Sequence, residues 1–373
     1  MKRVYNLNWG FIDETYSPRF LPQLLKEALT DKNYEILQYI EAEGLDELRK
    51  MGCNFLSVNN QVSAKLSELM VTSGSISGID MVSRVILHGK YDSIVFEPTY
   101  DIAIECLKIN SRFVHGVRFS EGGSLSVSAW NKFERLAKKR STKLVYIIPN
   151  FNNPNSVVLT KSDREKILSI CRVNDIVIIE DDPYSIYNYS ENKLPDNIIS
   201  LDKDKTNTVY LSTFSKILYP GIRLGFLVTN QELLSKILHI QRYTITSANL
   251  ISQGILLCAF KNKIITRSAK HYYDVIRGKR DLIFSEIDKN CLGEELDIAP
   301  NKGGMFIWAR IKKEVNTTSL LADVTRFGVT YVPGSVYYIN GDDHRHIRLC
   351  YSHIEKSDIP ESIKRLKKAL LNA

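Results

Sequence analysis

The feature that most constrains this chain is the recurrence of short apolar runs between stretches of helical periodicity. Ile94-Val95-Phe96, residues 144–148, residues 176–179, Val209-Tyr210-Leu211 and residues 224–228 are continuous and rich in β-branched or aromatic side chains. Runs of this length and composition are buried strands, not amphipathic helices. Between them, apolar positions repeat at helical spacing, as at Ile79, Val82, Val85 and Ile86. Strands that alternate with helices imply an α/β fold, with helices on both faces of a sheet. Further helices are expected near residues 21–29, 233–240, 253–260 and 272–287, the last long enough to link two domains.

At 373 residues the chain has room for one large and one small domain. A composition of 44% hydrophobic and 25% charged residues belongs to a protein with a real core. The net charge of +8 comes from 50 basic and 42 acidic residues. The basic residues are scattered, and their densest groups, Lys138-Lys139-Arg140 and residues 364–368, look like solvated helix faces. Nucleic acid is therefore not the expected partner, and the positive field suits small anionic substrates. The six cysteines form no C-x-x-C pair and stand at no metal-ligand spacing to a histidine, so neither a zinc site nor a disulfide framework is indicated. No run has membrane-spanning length, and the N-terminus has no apolar segment, so a cytoplasmic location is expected.

The residues just after each apolar run carry the chemistry. Val209-Tyr210-Leu211 leads to Thr213, Ser215 and Lys216, then Pro220-Gly221 and Arg223. Hydroxyls and an arginine suit a phosphate, and the lysine is left to act as a nucleophilic amine. Val71-Thr72 leads through Ser73-Gly74-Ser75-Ile76 into a helix, whose first turn offers free N–H groups and the positive dipole end to an anion. Phe96 leads to Glu97-Pro98-Thr99-Tyr100. Ile148 leads to Pro149 and then Asn153-Pro154-Asn155-Ser156. Ile179 leads to Glu180-Asp181-Asp182-Pro183-Tyr184.

Taken in order, these segments resemble the class I/II pyridoxal-phosphate aminotransferases of fold type I. The resemblance runs from about residue 10 to 352 and is nearest to the branch handling aromatic, aminoadipate or branched-chain substrates. It implies a mostly parallel seven-stranded sheet in a large domain (31–275), with a smaller α+β domain built from 1–30 and 276–373. It also implies a pyridoxal 5'-phosphate Schiff base on Lys216. Gly74, Ser75, Ile76, Thr213, Ser215 and Arg223 would cradle the phosphate, and Tyr100 would stack on the ring. Asp181, three residues before Tyr184, would pair with the ring nitrogen, with Asp182 as a bystander. Asn153 and Tyr184 would hold the 3-oxygen. Tyr39, in the pattern Y-x-x-x-x-G-x-x-x-L-R, would reach the phosphate of a neighbouring subunit, which implies a homodimer. Gly10 would lie against the substrate, and Arg348, within Arg348-Leu349-Cys350-Tyr351, would bind its α-carboxylate. The sequence departs from the family where Asn155 and Ser156 replace threonine and glycine.

The implied activity passes the amine of an L-amino acid to a 2-oxo acid such as 2-oxoglutarate. A carbon–sulfur lyase would use the same residues. An effector-binding regulator would need a DNA-binding segment ahead of Gly10, where nine residues stand. A dinucleotide enzyme would need G-x-G-x-x-G after a strand, and none occurs. Donor specificity is expected in loops that include Phe11, Tyr16 and Arg19.

Overall fold

The computed structural model describes residues 3–12, 20–30 and 36–372; Tyr16 and Arg19 lie outside them. A two-residue strand β1 (Tyr5–Asn6) comes first. The central sheet then uses β2 (Leu69–Thr72), β3 (Asp92–Glu97), β4 (Val114–Arg118), β5 (Thr142–Ile147), β6 (Val177–Asp181), β7 (Thr208–Leu211) and β8 (Gly225–Val228). Their spatial order is β2–β8–β7–β6–β5–β3–β4. Only β8 runs against its neighbours, β2 and β7, so six of the seven strands share a direction. Every residue of β2, β3, β7 and β8 is buried, including Asp92, Ser93 and Glu97 that flank the apolar centre of β3.

Strand β4, Val-His-Gly-Val-Arg, has no continuous apolar run and is not evident from the sequence. It sits at the sheet edge, where only Val117 is fully buried. A Cβ on Gly116 would lie 2.0 Å from Glu97 Oε2, so the edge strand packs closely against β3 there.

A second, antiparallel sheet in the order β12–β13–β10–β9 comprises β9 (Leu296–Ile298), β10 (Phe306–Ile311), β12 (Val332–Pro333) and β13 (His346–Cys350). The short β11 (Val329–Thr330) pairs in parallel with β1. In sequence, the long helix Ile264–Lys289 lies between the strands of the two sheets, and it packs on helices Leu250–Lys261 and Ile359–Leu371. It starts at Ile264, well before Tyr272, because Ile264 and Ile265 bury against the core and draw the polar stretch after them into the helix. Helix Leu21–Ala28 buries Leu24 and Ala28 against the same helix Leu250–Lys261.

All the parallel strands point their carboxyl ends to one side. In open α/β sheets that side carries the ligand crevice. Here the residues immediately after β3, β5, β6 and β7 converge there.

Candidate active site

A cavity of about 370 Å³ opens at those strand ends. Its wall includes Gly10, Ser75, Ile76, Tyr100, Asn153, Asp181, Tyr184, Thr213, Ser215, Lys216, Arg223 and Arg348. Residues separated by more than 300 positions in the chain thus face one space. Gly74 lies just behind the wall. It has φ +83°, and a Cβ there would stand 3.0 Å from Arg223 Nη2, so glycine both permits the backbone and leaves room for the guanidinium. Asp182 and Tyr39 do not line the cavity. Tyr39 is 91% exposed, outside its own chain's site.

Lys216 is held from both ends. Its backbone carbonyl accepts a hydrogen bond from Tyr187, while the next two carbonyls accept from Ser268 Oγ (2.7 Å) and Tyr272 OH (3.1 Å). Its Nζ donates to the Gly10 carbonyl. Burial pulls the amine down to about 8; the nearby Cys350 opposes this, and Arg348 and Arg223 reinforce it. An amine at that value gains or loses a proton close to neutral pH.

Asp181, at the end of β6, is 1% exposed. Tyr146 on the neighbouring strand β5 donates to its Oδ2 at 2.9 Å, whereas Oδ1 has no partner among the described residues. Burial raises the carboxyl to about 7, with Tyr146 holding it down and Asp182 pushing it further up. A buried carboxylate with one unmet oxygen and no bonded cation is poised to receive a positively charged donor. Tyr146 is a site residue that sequence reading missed, because a tyrosine inside an apolar strand looks like core.

Asp182 is equally buried but is fully engaged. It accepts from Asn150 Nδ2 (3.0 Å), Asn60 Nδ2 (3.3 Å) and Tyr210 OH (2.9 Å), and it ties three segments together beneath the cavity.

At the anion end, Thr213 Oγ1 donates to Ser215 Oγ (3.1 Å) and accepts from the Ser215 N–H (3.2 Å), a local turn that aligns both hydroxyls. Arg223 comes after the Pro220–Ile222 turn in the left-handed region (φ +50°). Its Nη2 reaches the Ser73 carbonyl at 3.5 Å, beside the N-terminus of helix Ser75–Leu87. Free helix amides, two hydroxyls and a guanidinium make an anion cradle.

At the opposite end Arg348 is 7% exposed. Nη1 donates to Asn153 Oδ1 (2.9 Å) and Nη2 to the Asn8 carbonyl, while Nε has no partner among the described residues. The guanidinium lies 4.5 Å from the Phe306 ring centre and 5.1 Å from that of Tyr337. The turn after Asn153 also accounts for the departure at Asn155-Ser156. Ser156 has φ +55°, a conformation natural to glycine, and its Oγ compensates by donating to the Phe306 carbonyl at 3.0 Å. Asn155 Oδ1 accepts from Asn152 Nδ2 at 2.7 Å, closing the turn.

The chain that builds this cavity matches aminotransferase class I and II over residues 3–366, and it belongs to that family. It is a pyridoxal-phosphate-dependent transaminase. The aromatic-amino-acid aminotransferase 1 of Thermococcus litoralis is 26% identical over 359 residues, which cover 96% of this chain and 85% of that protein. The 2-aminoadipate transaminase of Thermus thermophilus is 26% identical over 92% of this chain and 83% of its own. The crystal structure of Pyrococcus horikoshii kynurenine aminotransferase in complex with PMP has a TM-score of 0.91 at 25% identity, covering all of this chain and 92% of that one. Among the described residues, no helix is long and apolar enough to cross a membrane.

Proposed function

We propose that the protein transfers the amino group of an L-amino acid, of aromatic, aminoadipate or branched-chain type, to a 2-oxo acid such as 2-oxoglutarate, with the cofactor carried on Lys216. The observation that carries this reading is the meeting in one cavity of three buried groups. These are an amine near neutrality, a carboxylate with one oxygen unmet among the described residues, and a guanidinium whose hydrogen bonds to described residues go to neutral acceptors. The relatives named for aromatic and aminoadipate substrates support the substrate range.

The residues fit pyridoxal phosphate. The unmet Oδ1 of Asp181 suits a protonated ring nitrogen, and the cradle at Gly74, Ser75, Ile76, Thr213, Ser215 and Arg223 suits a phosphate. Tyr100 would cover the ring, with Asn153 and Tyr184 on its 3-oxygen, and Tyr39 of a second copy would complete the phosphate site in a homodimer. When bound, the cofactor supplies an electron sink for the electrons of the substrate Cα–H bond. The chain does the rest. Tyr146 holds Oδ2 of the Asp181 carboxylate and leaves Oδ1 for the cofactor. Arg348 turns the substrate by gripping its α-carboxylate in a fork. Lys216, tuned close to neutrality, takes the Cα proton and returns it as general base and acid. The Gly10 carbonyl receives the Lys216 amine whenever it carries protons to donate.

On the same reading, the large unit spans 31–275 and the small one joins 1–30 to 276–373. The separate sheet at residues 296–350 supports that division. A cytoplasmic homodimer completes the proposal.

The test separates two half-reactions. An amino acid added alone to the loaded protein should change its absorption spectrum and release one equivalent of 2-oxo acid. 2-Oxoglutarate should then restore the spectrum. Continuous release of ammonia or a thiol from one amino acid, with no acceptor present, would establish a lyase instead.

A further inference from the structure

Three aromatic rings stand together at the cavity rim. Trp9 and Phe11 stack with their centres 5.2 Å apart at 23°. His353 lies 5.0 Å from Trp9 and 4.6 Å from Phe11. Trp9 and Phe11 both line the cavity and flank Gly10, the residue whose carbonyl meets Lys216 Nζ. Trp9 remains 50% exposed although it is the largest apolar group at the rim. A half-covered indole at the mouth of a site is surface still available for contact.

The shelf is held in place by the strand that carries Arg348. The Cys350 N–H donates to the Leu7 carbonyl (2.7 Å), Arg348 Nη2 to the Asn8 carbonyl, and Ser352 Oγ to the Phe11 carbonyl (2.8 Å). Behind it, a Cβ on Gly10 would stand 2.9 Å from Phe306, so the segment is pressed flat against β10. The distance between guanidinium and rings is therefore set by one strand end. Ile76, Tyr100, Ile102 and Ile148 add further apolar wall, and Trp9 is the largest and most exposed of the apolar groups that line it. The floor is the polar anion cradle, and Phe306 lies under the Arg348 guanidinium and edge-on to Tyr184 (5.5 Å, 86°). A substrate anchored by its carboxylate at Arg348, with its amine toward Lys216, meets the stacked rings of Trp9 and Phe11 on the segment that the Arg348 strand itself holds.

We infer that Trp9 and Phe11, backed by His353, form the side-chain subsite of the substrate and select donors with an aromatic ring. This rests on the transaminase reading above and narrows its substrate range. Ring-on-ring contact adds affinity beyond the area buried, and truncation also removes part of that area. The expected loss on Trp9→Ala is therefore about tenfold or more in preference for an aromatic over a small side chain.

The probe needs no chemistry: calorimetric binding of 3-phenylpropanoate, with butanoate as the carboxylate control. Trp9→Ala should weaken 3-phenylpropanoate about tenfold and butanoate less than about twofold, and Trp9→Phe should recover most of the loss. The kcat/KM ratio of phenylalanine to alanine should fall in parallel. Equal weakening of both carboxylates, or unchanged 3-phenylpropanoate binding in Trp9→Ala, would overturn the subsite. If the binding selectivity tracks Trp9 but no amino acid releases a 2-oxo acid, the transaminase reading fails and the subsite stands.

Discussion

Replacing Arg348 with alanine gives the sharpest test of how the site reads its substrate. The side chain is buried, and both of its side-chain hydrogen bonds go to neutral acceptors, Asn153 Oδ1 and the Asn8 carbonyl. Nε has no partner among the described residues. A substrate carboxylate gripped in the fork would gain two charge-assisted hydrogen bonds, about 1.5–3 kcal/mol each. Against this stands the loss of one or two neutral bonds, about 1 kcal/mol each. The net, about 1–5 kcal/mol, corresponds to about 5- to 5,000-fold in kcat/KM. The assay compares phenylalanine with 2-phenylethylamine, the same molecule without the carboxylate, in the wild type and in Arg348→Ala. The variant should lose its preference for the amino acid by that factor and handle the amine nearly as before. Arg348→Lys should fall between, since it keeps the charge but not the fork. The fold should survive, because the substitution also removes a buried charge; a drop in Tm of only about a few degrees is expected. If Arg348→Ala keeps its preference for phenylalanine within about threefold of wild type, Arg348 does not bind the carboxylate and the reasoning fails.

Three further outcomes are expected from the same geometry. Burial holds the Lys216 amine at about 8, against 10.5 in the unfolded chain. The unfolded chain therefore binds the extra proton between those values, and folded stability rises with pH from about 8 to 10.5. Cofactor-free Lys216→Met should exceed the wild type in stability below pH 8, by on the order of 3 kcal/mol. That margin should shrink toward pH 10.5 in denaturant titrations; a margin that does not change with pH would refute the burial argument. Asp181→Ala should lower kcat by about a hundredfold or more while leaving Tm nearly intact. Asp182→Ala strands the donors of Asn60, Asn150 and Tyr210 and should cost about 3–5 kcal/mol of stability with a milder effect per folded molecule. The reverse ranking in kcat would show that the wrong carboxylate faces the cavity. Mixed Lys216→Ala and Tyr39→Phe subunits should recover activity in heterodimers, and a fully active monomer in sedimentation would refute the shared site.

Much of this protein is legible in its sequence because the decisive signals are local. An apolar run without a polar face must be a covered strand, and residues placed just after such a run must stand at the sheet's carboxyl edge. That logic locates Asn153, Asp181, Thr213, Ser215 and Lys216 without coordinates; the choice of Asp181 over Asp182 comes from the resemblance, through the family's spacing to Tyr184, and the cavity wall includes Asp181 and not Asp182. Strand β4 escapes it, since an edge strand needs no continuous apolar run and Val114-His115-Gly116-Val117-Arg118 carries none. What the tertiary structure alone decides is which distant groups become neighbours. Tyr146 meets Asp181 because β5 and β6 pair side by side, a register that no spacing along the chain encodes. Ser268 and Tyr272 steady the carbonyls after Lys216 because a helix from another part of the chain crosses them. Trp9 and Phe11 reach the rim, and Gly10 reaches Lys216, because the end of β13 binds the N-terminal segment from some 340 residues away in sequence. Local sequence sets what each residue is able to do; long-range packing, which depends on the whole core at once, sets what it does it to.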